Sequence, residues 1–452
     1  MPTPDLTSRI LRRLLASGLT TRAERLLARV RAADVGPLLA SLEPEEIRTV
    51  VDLLFQQRRA AETLSELPPD IFRQVVDAVS DERLAEVLSR LEVDDAVHLV
   101  GELPEERRSE VVALLPEERR GDLRQAELYA ESSAGRVMTT DFVALDAKMT
   151  AQEAIDHVRQ RGGGGGETDA ILYLYVIDDD ARLLGVVPIR RLVTSPPDRR
   201  CAELMIRNPI RVAVDTDQEE VARLVAKYNL LAVPVVDDAG KMAGVITVDD
   251  VIDVIHEEAT EDIYHLAGLS EDDRVTSPAR RSIRKRLPWM MVNLVTAFLA
   301  SWVVGLFERT IEEIVALAVF LPIVAGMGGN GATQTLTVIT RGIALGEIEF
   351  SSGLRAVARE VGVGVAIGLL TGLAAAGVAW IWQGTPWMGI VLLLAMVANL
   401  AIAGLVGAAV PLVLKALGQD PALGSGVIVT TFTDCCGFFA FLGIATLLMD
   451  RL

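Results

Sequence analysis

Asp434 stands inside the last long apolar stretch of the chain, GVIVTTFTDCCGFFAFLGIATLLM, with Thr430, Thr431 and Thr433 just before it. An ionised carboxylate near the middle of a bilayer costs about 2.5–3.5 kcal/mol or more, so it persists where water, a partner or an ion solvates it. Asp434 lies about ten positions into its run, too deep for a short side chain to reach water unaided. These residues read as a cation site; the alternative is an acid that hydrogen-bonds a neighbouring span.

A second concentration of acids precedes the apolar half. Asp250, Asp253, Glu257 and Glu261 recur every three or four residues and form one stripe on a helix, with Asp249, Glu258 and Asp262 beside it. Like charges at that spacing destabilise a helix by about 0.2–0.5 kcal/mol per pair unless something neutralises them. A solvated face would explain the stripe too, but its place just before the first apolar stretch points to a cation-sensitive connector. A third polar set interrupts LPIVAGMGGNGATQTLTVITRG: Pro322, several glycines, Asn330, Thr333, Gln334, Thr335 and Thr337. Polar groups at membrane depth are tolerated where they line a cavity or face protein. A polar pathway between this stretch and the last one, lined by Asn330, Gln334, Thr431, Thr433 and Asp434, follows as the expectation.

The elements that must hold these residues divide near residue 285. Before it the chain is rich in Asp, Glu and Arg; after it, apolar stretches long enough to span a hydrocarbon core of about 30 Å succeed one another. Five spans are expected, at about 288–307, 314–340, 361–382, 388–414 and 424–448. Arg280, Arg281, Arg284, Lys285 and Arg286 precede the first, Arg341, Arg355 and Arg359 lie between the second and third, and Lys415 follows the fourth. The opposite loops carry Arg309 and Arg451, so the positive-inside bias puts the N-terminal half in the cytoplasm and the C-terminus outside. Small residues crowd the third and fourth spans, a signature of close helix packing. The first residues show no secretory signal, and three cysteines form neither a disulfide framework nor a zinc spacing. A net charge of −18 argues against a nucleic-acid partner and allows cations.

Two repeats organise the N-terminal half. Leu67-Pro68, Val79-Ser80, Leu91-Glu92, Leu103-Pro104 and Leu115-Pro116 recur every 12 residues, and LPEERR occurs at 103 and 115. Proline followed by glutamates starts a helix, so residues 1–132 are expected to form a helical solenoid. Farther on, VMTTDFVALDAKMTAQEAIDHV is echoed by LMIRNPIRVAVDTDQEEVARLV, and YVIDDDARLLGVVPIRRLV by PVVDDAGKMAGVITVDDVI. Each copy reads as strand, helix, strand, strand, helix and resembles a CBS (cystathionine-β-synthase) domain. Gly244, Thr247 and Asp250 of the second copy match the positions where such modules contact phosphate and ribose; Pro188 and Arg191 replace them in the first. The resemblance therefore keeps ATP in view, with absent or weakened binding expected. The run Gly162–Gly166 reads as a loop, since no Gly-Lys-Ser/Thr follows it to make a phosphate loop.

The motifs GMGGNGATQTLTVITRGIALGE, QDPALGSGVIVTTFTDCCG and VDDVIDVIHEEATEDIYHLAGL, in this order of parts, resemble the MgtE family of magnesium channels over essentially the whole chain. The resemblance implies an α-helical five-span membrane domain (281–452) joined to a cytoplasmic α-solenoid N-domain (1–132) and α/β tandem CBS domains (133–200 and 201–248). An acidic connecting (plug) helix and linker (249–280) complete it. It implies a homodimer in the inner membrane with a central pore, in which Asp434 of each subunit binds hydrated Mg2+. Asp420, Asp250, Asp253, Glu258, Glu261, Asp262 and Glu219 are implied as further Mg2+ ligands; Asn229 and Thr333 stand where the family carries Asp and Asn. Mg2+ sheds water reluctantly, so a wide ring of oxygen ligands suits it. Mg2+ bridging acids of the cytoplasmic parts would favour a compact, closed state, giving negative feedback. Two competing readings are transport of another divalent ion such as Co2+ or Mn2+, and a membrane-anchored Mg2+ or nucleotide sensor that carries nothing. No nucleophile–base pair supports an enzyme.

Overall fold

The computed structural model describes residues 4–162, 173–269, 273, 279–348, 353–423 and 425–451; of the expected loop Gly162–Gly166, Gly162 ends a helix and the rest lies outside the described residues. The chain forms two compact units, Met1–Val254 and Ile255–Leu452.

The first unit opens with helices α1 (Pro4–Ala16), α2 (Thr20–Leu27), α3 (Val35–Leu39), α4 (Pro44–Gln56) and α5 (Ala60–Ser65). The 12-residue repeat then becomes α6 (Pro69–Val76), α7 (Asp81–Leu88), α8 (Val93–Glu102), α9 (Glu105–Leu114) and α10 (Glu117–Glu127), whose first residues are 12 apart. Acids in the first turn start all five, with proline at or just before the first helical position in α6, α9 and α10, Ser80 before α7 and Glu92 before α8. A helix this short buries one face, and it does so against the helix two places along: α5 on α7, α6 on α8, α7 on α9 and α8 on α10. The arginine of the LPEER motif closes the stack. Arg107 donates to the carbonyls of Val76 and Val79 at 2.7 and 2.8 Å and pairs with Asp81, while Arg119, one repeat later, donates to those of Leu88 and Glu92 at 3.2 and 2.9 Å. Each guanidinium thus ties a carbonyl at the end of one helix to one in the turn that follows, adding to the backbone bonds that Val76 and Glu92 already accept.

After α11 (Ala134–Val137) come the two α/β copies. The first has β1 (Ala144–Asp146), α12 (Ala151–Gly162), β2 (Tyr173–Ile177), β3 (Leu183–Pro188) and α13 (Ile189–Val193). Next follow α14 (Cys201–Leu204) and β4 (Ile206–Arg207), then the second copy: β5 (Val212–Ala213), α15 (Gln218–Tyr228), β6 (Ala232–Val236), β7 (Met242–Thr247) and α16 (Val248–Leu266). The sheets have the orders β1-β2-β3-β4 and β5-β6-β7, with β1–β2 and β5–β6 parallel and the remaining pairs antiparallel. The expected strand–helix–strand–strand–helix order appears in both copies. A short lead-in segment adds to each sheet: β4 pairs with β3, and Thr139 bridges to Val245 of β7. This explains Gly185 and Gly244. A Cβ on Gly185 would stand 2.7 Å from the Ile206 carbonyl, and one on Gly244 2.7 Å from that of Thr139, so each glycine admits a crossing backbone.

The C-terminal helices are α17 (Ala279–Gly305), α18 (Glu308–Glu313), α19 (Ala316–Ala344), α20 (Gly353–Gln383), α21 (Pro386–Ala416) and α22 (Ser425–Leu447). All but α18 are long and apolar enough to cross a membrane, five in agreement with the expected spans. The Arg280–Arg286 basic stretch is helical, because α17 begins at Ala279 and carries it as its first turns. Helix α21 is central, packing on α19, α20 and α22, whereas α17 packs on α22. Glycines let α20 and α21 meet backbone to backbone: a Cβ on Gly364 would lie 2.2 Å from the Leu400 carbonyl, and one on Gly404 2.4 Å from that of Glu360.

Candidate ion pathway and regulatory acids

Helix α22 carries Asp434 through residues that satisfy themselves. The hydroxyls of Thr430, Thr431 and Thr433 donate to the carbonyls of Gly426, Val427 and Thr430 at 2.9, 2.6 and 3.0 Å, each within the helix. Asp434 is half-buried, and among the described residues no hydrogen bond or ion pair reaches its carboxylate. The other buried acids of this unit do have partners. Asp273 accepts from Ser282 Oγ and Arg286 Nε at 2.6 Å each, and Glu360 lies 3.5 Å from Thr335 Oγ1 and 3.7 Å from Arg359 Nη1.

On α19, which packs against α22, Asn330, Thr333, Gln334 and Thr337 are exposed at positions that share one helix face, and Thr335 is buried on another. The polar residues expected to line one pathway therefore separate. Asn330 and Gln334 are on an open stripe, Thr431 and Asp434 are partly open, and Thr433 is fully buried with its hydroxyl turned to its own helix.

At the other end of the same unit, Asp420 closes the turn before α22, its Oδ1 accepting the Ala422 N–H at 2.8 Å. Its Oδ2 lies 2.6 Å from His265 Nδ1, and that nitrogen is 3.6 Å from Glu261 Oε1. One ligand atom from each of the three falls within 4.8 Å of the others, a spacing that a single cation can span. Burial, with Asp420 and Glu258 adding, pushes the Asp262 carboxyl up to about 6, while His265 opposes the shift. The end of α16 is braced directly on the start of α22: a Cβ on Gly426 would stand 2.7 Å from the Leu266 carbonyl. Glu261 and Asp420 were each expected as a Mg2+ ligand, but not as neighbours, and His265 was not expected, although a histidine four residues after Glu261 shares its helix face.

The first turns of α16 belong to the other unit and face the solenoid. Burial pushes Asp250 up to about 7, against its hydrogen bond from Thr247, with Asp249 and Asp95 adding. Burial and then Glu92 push Asp95 up to about 6; burial and then Asp250 hold Asp94 well above the carboxylate range. Asp94 Oδ1 is buried without a hydrogen-bond partner. Glu66 is raised too, by burial and then by Asp253. Arg119 and His98 are basic groups facing these acids, and the Arg119 guanidinium is tied to the carbonyls of Leu88, Leu91 and Glu92. Carboxylates so arranged repel until protons or a cation neutralise them. Asp94 and Asp95 were not singled out in the sequence, yet they left a trace: Glu92-Val93-Asp94-Asp95 occupies the repeat position that reads Pro-Glu-Glu-Arg in the next two turns of the solenoid.

Several residues singled out in the sequence have local roles. Thr247 donates to Asp250 Oδ2 through its hydroxyl and, at 3.2 Å, through its N–H, so the two residues expected to meet a nucleotide instead close the start of α16 on each other. Glu219 sits in the first turn of α15, 3.6 Å from Arg223. Asn229 caps the far end of α15 at φ 51°, a left-handed conformation that Asn tolerates. Ten residues of helix separate the pair by about 15 Å, so within one chain they cannot share an ion. In the first copy, Pro188 precedes α13, and Arg191 donates to the Leu204 carbonyl at 2.9 Å.

Comparison with known proteins agrees with this layout. Residues 321–444 match the family described as MgtE, divalent cation transporter; residues 30–132 match the MgtE intracellular N domain; and residues 134–197 and 201–257 match the CBS domain. The chain is 34% identical to the magnesium transporter MgtE of Thermus thermophilus over 97% of this chain and 98% of that protein. It is also 34% identical to the magnesium transporter MgtE of Bacillus subtilis over 72% of this chain and 71% of that one. The crystal structure of the cytosolic domain of the Mg2+ channel MgtE in complex with ATP resembles it with a TM-score of 0.51 at 34% identity, covering 55% of this chain and 99% of that one. With an acid in the fifth membrane helix, an acid-rich connecting helix and full-length similarity of this kind, the chain is a multi-pass membrane protein that belongs to the MgtE family of divalent cation transporters.

Proposed function

We propose that this protein carries Mg2+ across the plasma (inner) membrane as a homodimer and that cytoplasmic Mg2+ closes it. The observation that carries the reading is Asp434: a half-buried carboxylate inside a membrane helix, reached by no hydrogen bond or ion pair among the described residues, where a cation supplies the missing partner. The two curated relatives above are named magnesium transporters, which favours Mg2+ over Co2+ or Mn2+. Two copies of Asp434 about a two-fold axis would face a hydrated ion, with Asn330, Gln334 and Thr431 nearby along the path. Asp420, Glu261 and Asp262 stand at the cytoplasmic end of that path, the N-terminus lies in the cytoplasm and the C-terminus outside. Asp250, Asp253 and Glu258, with Asp94 and Asp95 of the solenoid and Glu219 of the second CBS copy, form the regulatory set. Mg2+ there relieves the mutual repulsion of carboxylates and so favours the compact state, and its loss releases them.

ATP binding is inferred to be weak. The relative's cytosolic domain holds ATP, whereas here Thr247 and Asp250 engage each other and Pro188 and Arg191 replace the matching positions of the first copy. The test of transport is Mg2+ flux into liposomes holding the purified full chain. Wild type takes up Mg2+, Co2+ and Mn2+ compete less well, and Asp434→Ala is silent. Absence of flux from correctly inserted wild type would overturn transport in favour of a sensor, and full flux from Asp434→Ala would overturn the ion site.

A further inference from the structure

Asn399 lies in the middle of α21 and is fully buried among the apolar residues of the membrane helices, including Val324, Met396, Leu400 and Phe441. Its Nδ2 donates to the Val324 carbonyl of α19 at 2.8 Å. A carbonyl only accepts, so this bond fixes which way the amide points and leaves Oδ1 on the other side, buried with no partner. On two flanks the amide meets glycine: a Cβ on Gly328 of α19 would fall 2.3 Å from Nδ2, and a Cβ on Gly437 of α22 would fall 2.6 Å from it. Gly328 is two residues before Asn330, and Gly437 is three residues after Asp434.

We propose that Asn399 is a positioning residue for ion selectivity: its amide is the spacer that sets how closely α19 and α22 approach at the level of Asn330 and Asp434. The inference rests on the transport reading above. An apolar side chain of similar size would fill the same gap and leave no orphaned acceptor, so packing alone does not explain an amide here. The amide pins α19 through Val324 while its bulk keeps Gly328 and Gly437 from closing on each other. An ion that must pass with its water needs that separation held. Mg2+ gives up water more reluctantly than Ca2+, so a narrower gap penalises Mg2+ first.

The experiment measures Mg2+ and Ca2+ uptake by the full chain in liposomes and takes their ratio, which does not depend on how much protein is active. Asn399→Ala lowers the Mg2+/Ca2+ ratio at least fivefold. Gly437→Ala, whose new methyl group collides with the amide, lowers uptake at least tenfold, and combining it with Asn399→Ala restores at least part of the loss. Should Asn399→Ala not assemble, Asn399→Ser shortens the same spacer while keeping a donor and gives the same readout. A ratio within twofold of wild type in the shortened variants, or normal uptake by Gly437→Ala, overturns the spacer role. Wild type without flux overturns the transport reading itself, a distinguishable result.

Discussion

Two acidic regions of this molecule obey opposite rules. Asp434 is a single carboxylate in an apolar helix, and what defines it is that no hydrogen bond or ion pair reaches it among the described residues. At the start of α16 the acids are many: burial first, and neighbouring carboxylates with it, raise the proton affinity of Asp250, Asp94, Asp95 and Glu66, against the committed Arg119 and His98. A lone acid in an apolar surround holds a cation because nothing else solvates its charge. A crowd of acids responds to a cation because the folded arrangement is strained without one. The first arrangement suits passage, the second suits sensing, and the same residue type serves both.

The comparison breaks most visibly at Asp434. Asp434→Ala should reduce Mg2+ uptake to background while the folded dimer persists by size-exclusion chromatography, and Asp434→Asn should retain the dimer with altered conductance or selectivity. The crowded region should fail differently. Replacing Asp94, Asp95, Asp250 and Asp253 together by amides should leave uptake measurable but move the Mg2+ midpoint for protease protection of the cytoplasmic half at least tenfold higher, equivalent to about 1.4 kcal/mol. Unchanged protection would make these acids a solvated face.

A smaller effect separates protons from metal. Asp250 and Asp95 titrate near 7 and 6 in the folded protein and near 4 when unfolded, so between about pH 4 and 7 the folded state binds more protons. Stability contributed by these groups is therefore greatest at low pH and is lost as pH rises to about 7, with little further change above. Without divalent ions the melting temperature of the cytoplasmic transition should be at least about 2–4 °C higher at pH 6 than at pH 8. Saturating Mg2+ should shrink that difference, because the ion neutralises what protons otherwise would. The smallest expectation is calorimetric: ATP should give weak or no heat with this chain, and tight binding would show that other residues replace Pro188 and Arg191.

Much of this was legible before any coordinates. The 12-residue period survives as helices because acids in each first turn, joined by proline in three of the five, mark the starts locally, and the five apolar runs need only length. The stripe on α16 was readable because its members share one helix. Its partners were not: Asp94 and Asp250 are separated by more than 150 residues of chain, and only tertiary packing brings them together. His265 and Asn399 escaped for a related reason. A single polar residue in MVANLAIAG or IYHLAGL carries no periodic signal, and its meaning lies in what another helix presents to it, a carboxylate in one case and two glycines in the other. Thr433 shows the converse, a polar residue whose sequence position suggested a lining role and whose hydroxyl is spent on its own helix.

The backbone contact between α20 and α21 has a mechanical consequence. Where Gly364, Gly368, Gly372, Gly389 and Gly404 bring main chain against main chain or its nearest atoms, no side-chain rotamers are available to absorb a slide, and any relative displacement is a collision. The pair behaves as a chassis. Helix α19 meets α21 in the same way, since a Cβ on Gly407 would lie 2.8 Å from the Ala332 carbonyl, so opening and closing fall to α22, which rests on α21 through side chains, and to α17, which packs on α22. A crosslink stitched between α20 and α21 should leave the machine running, while one between α21 and α22 should seize it.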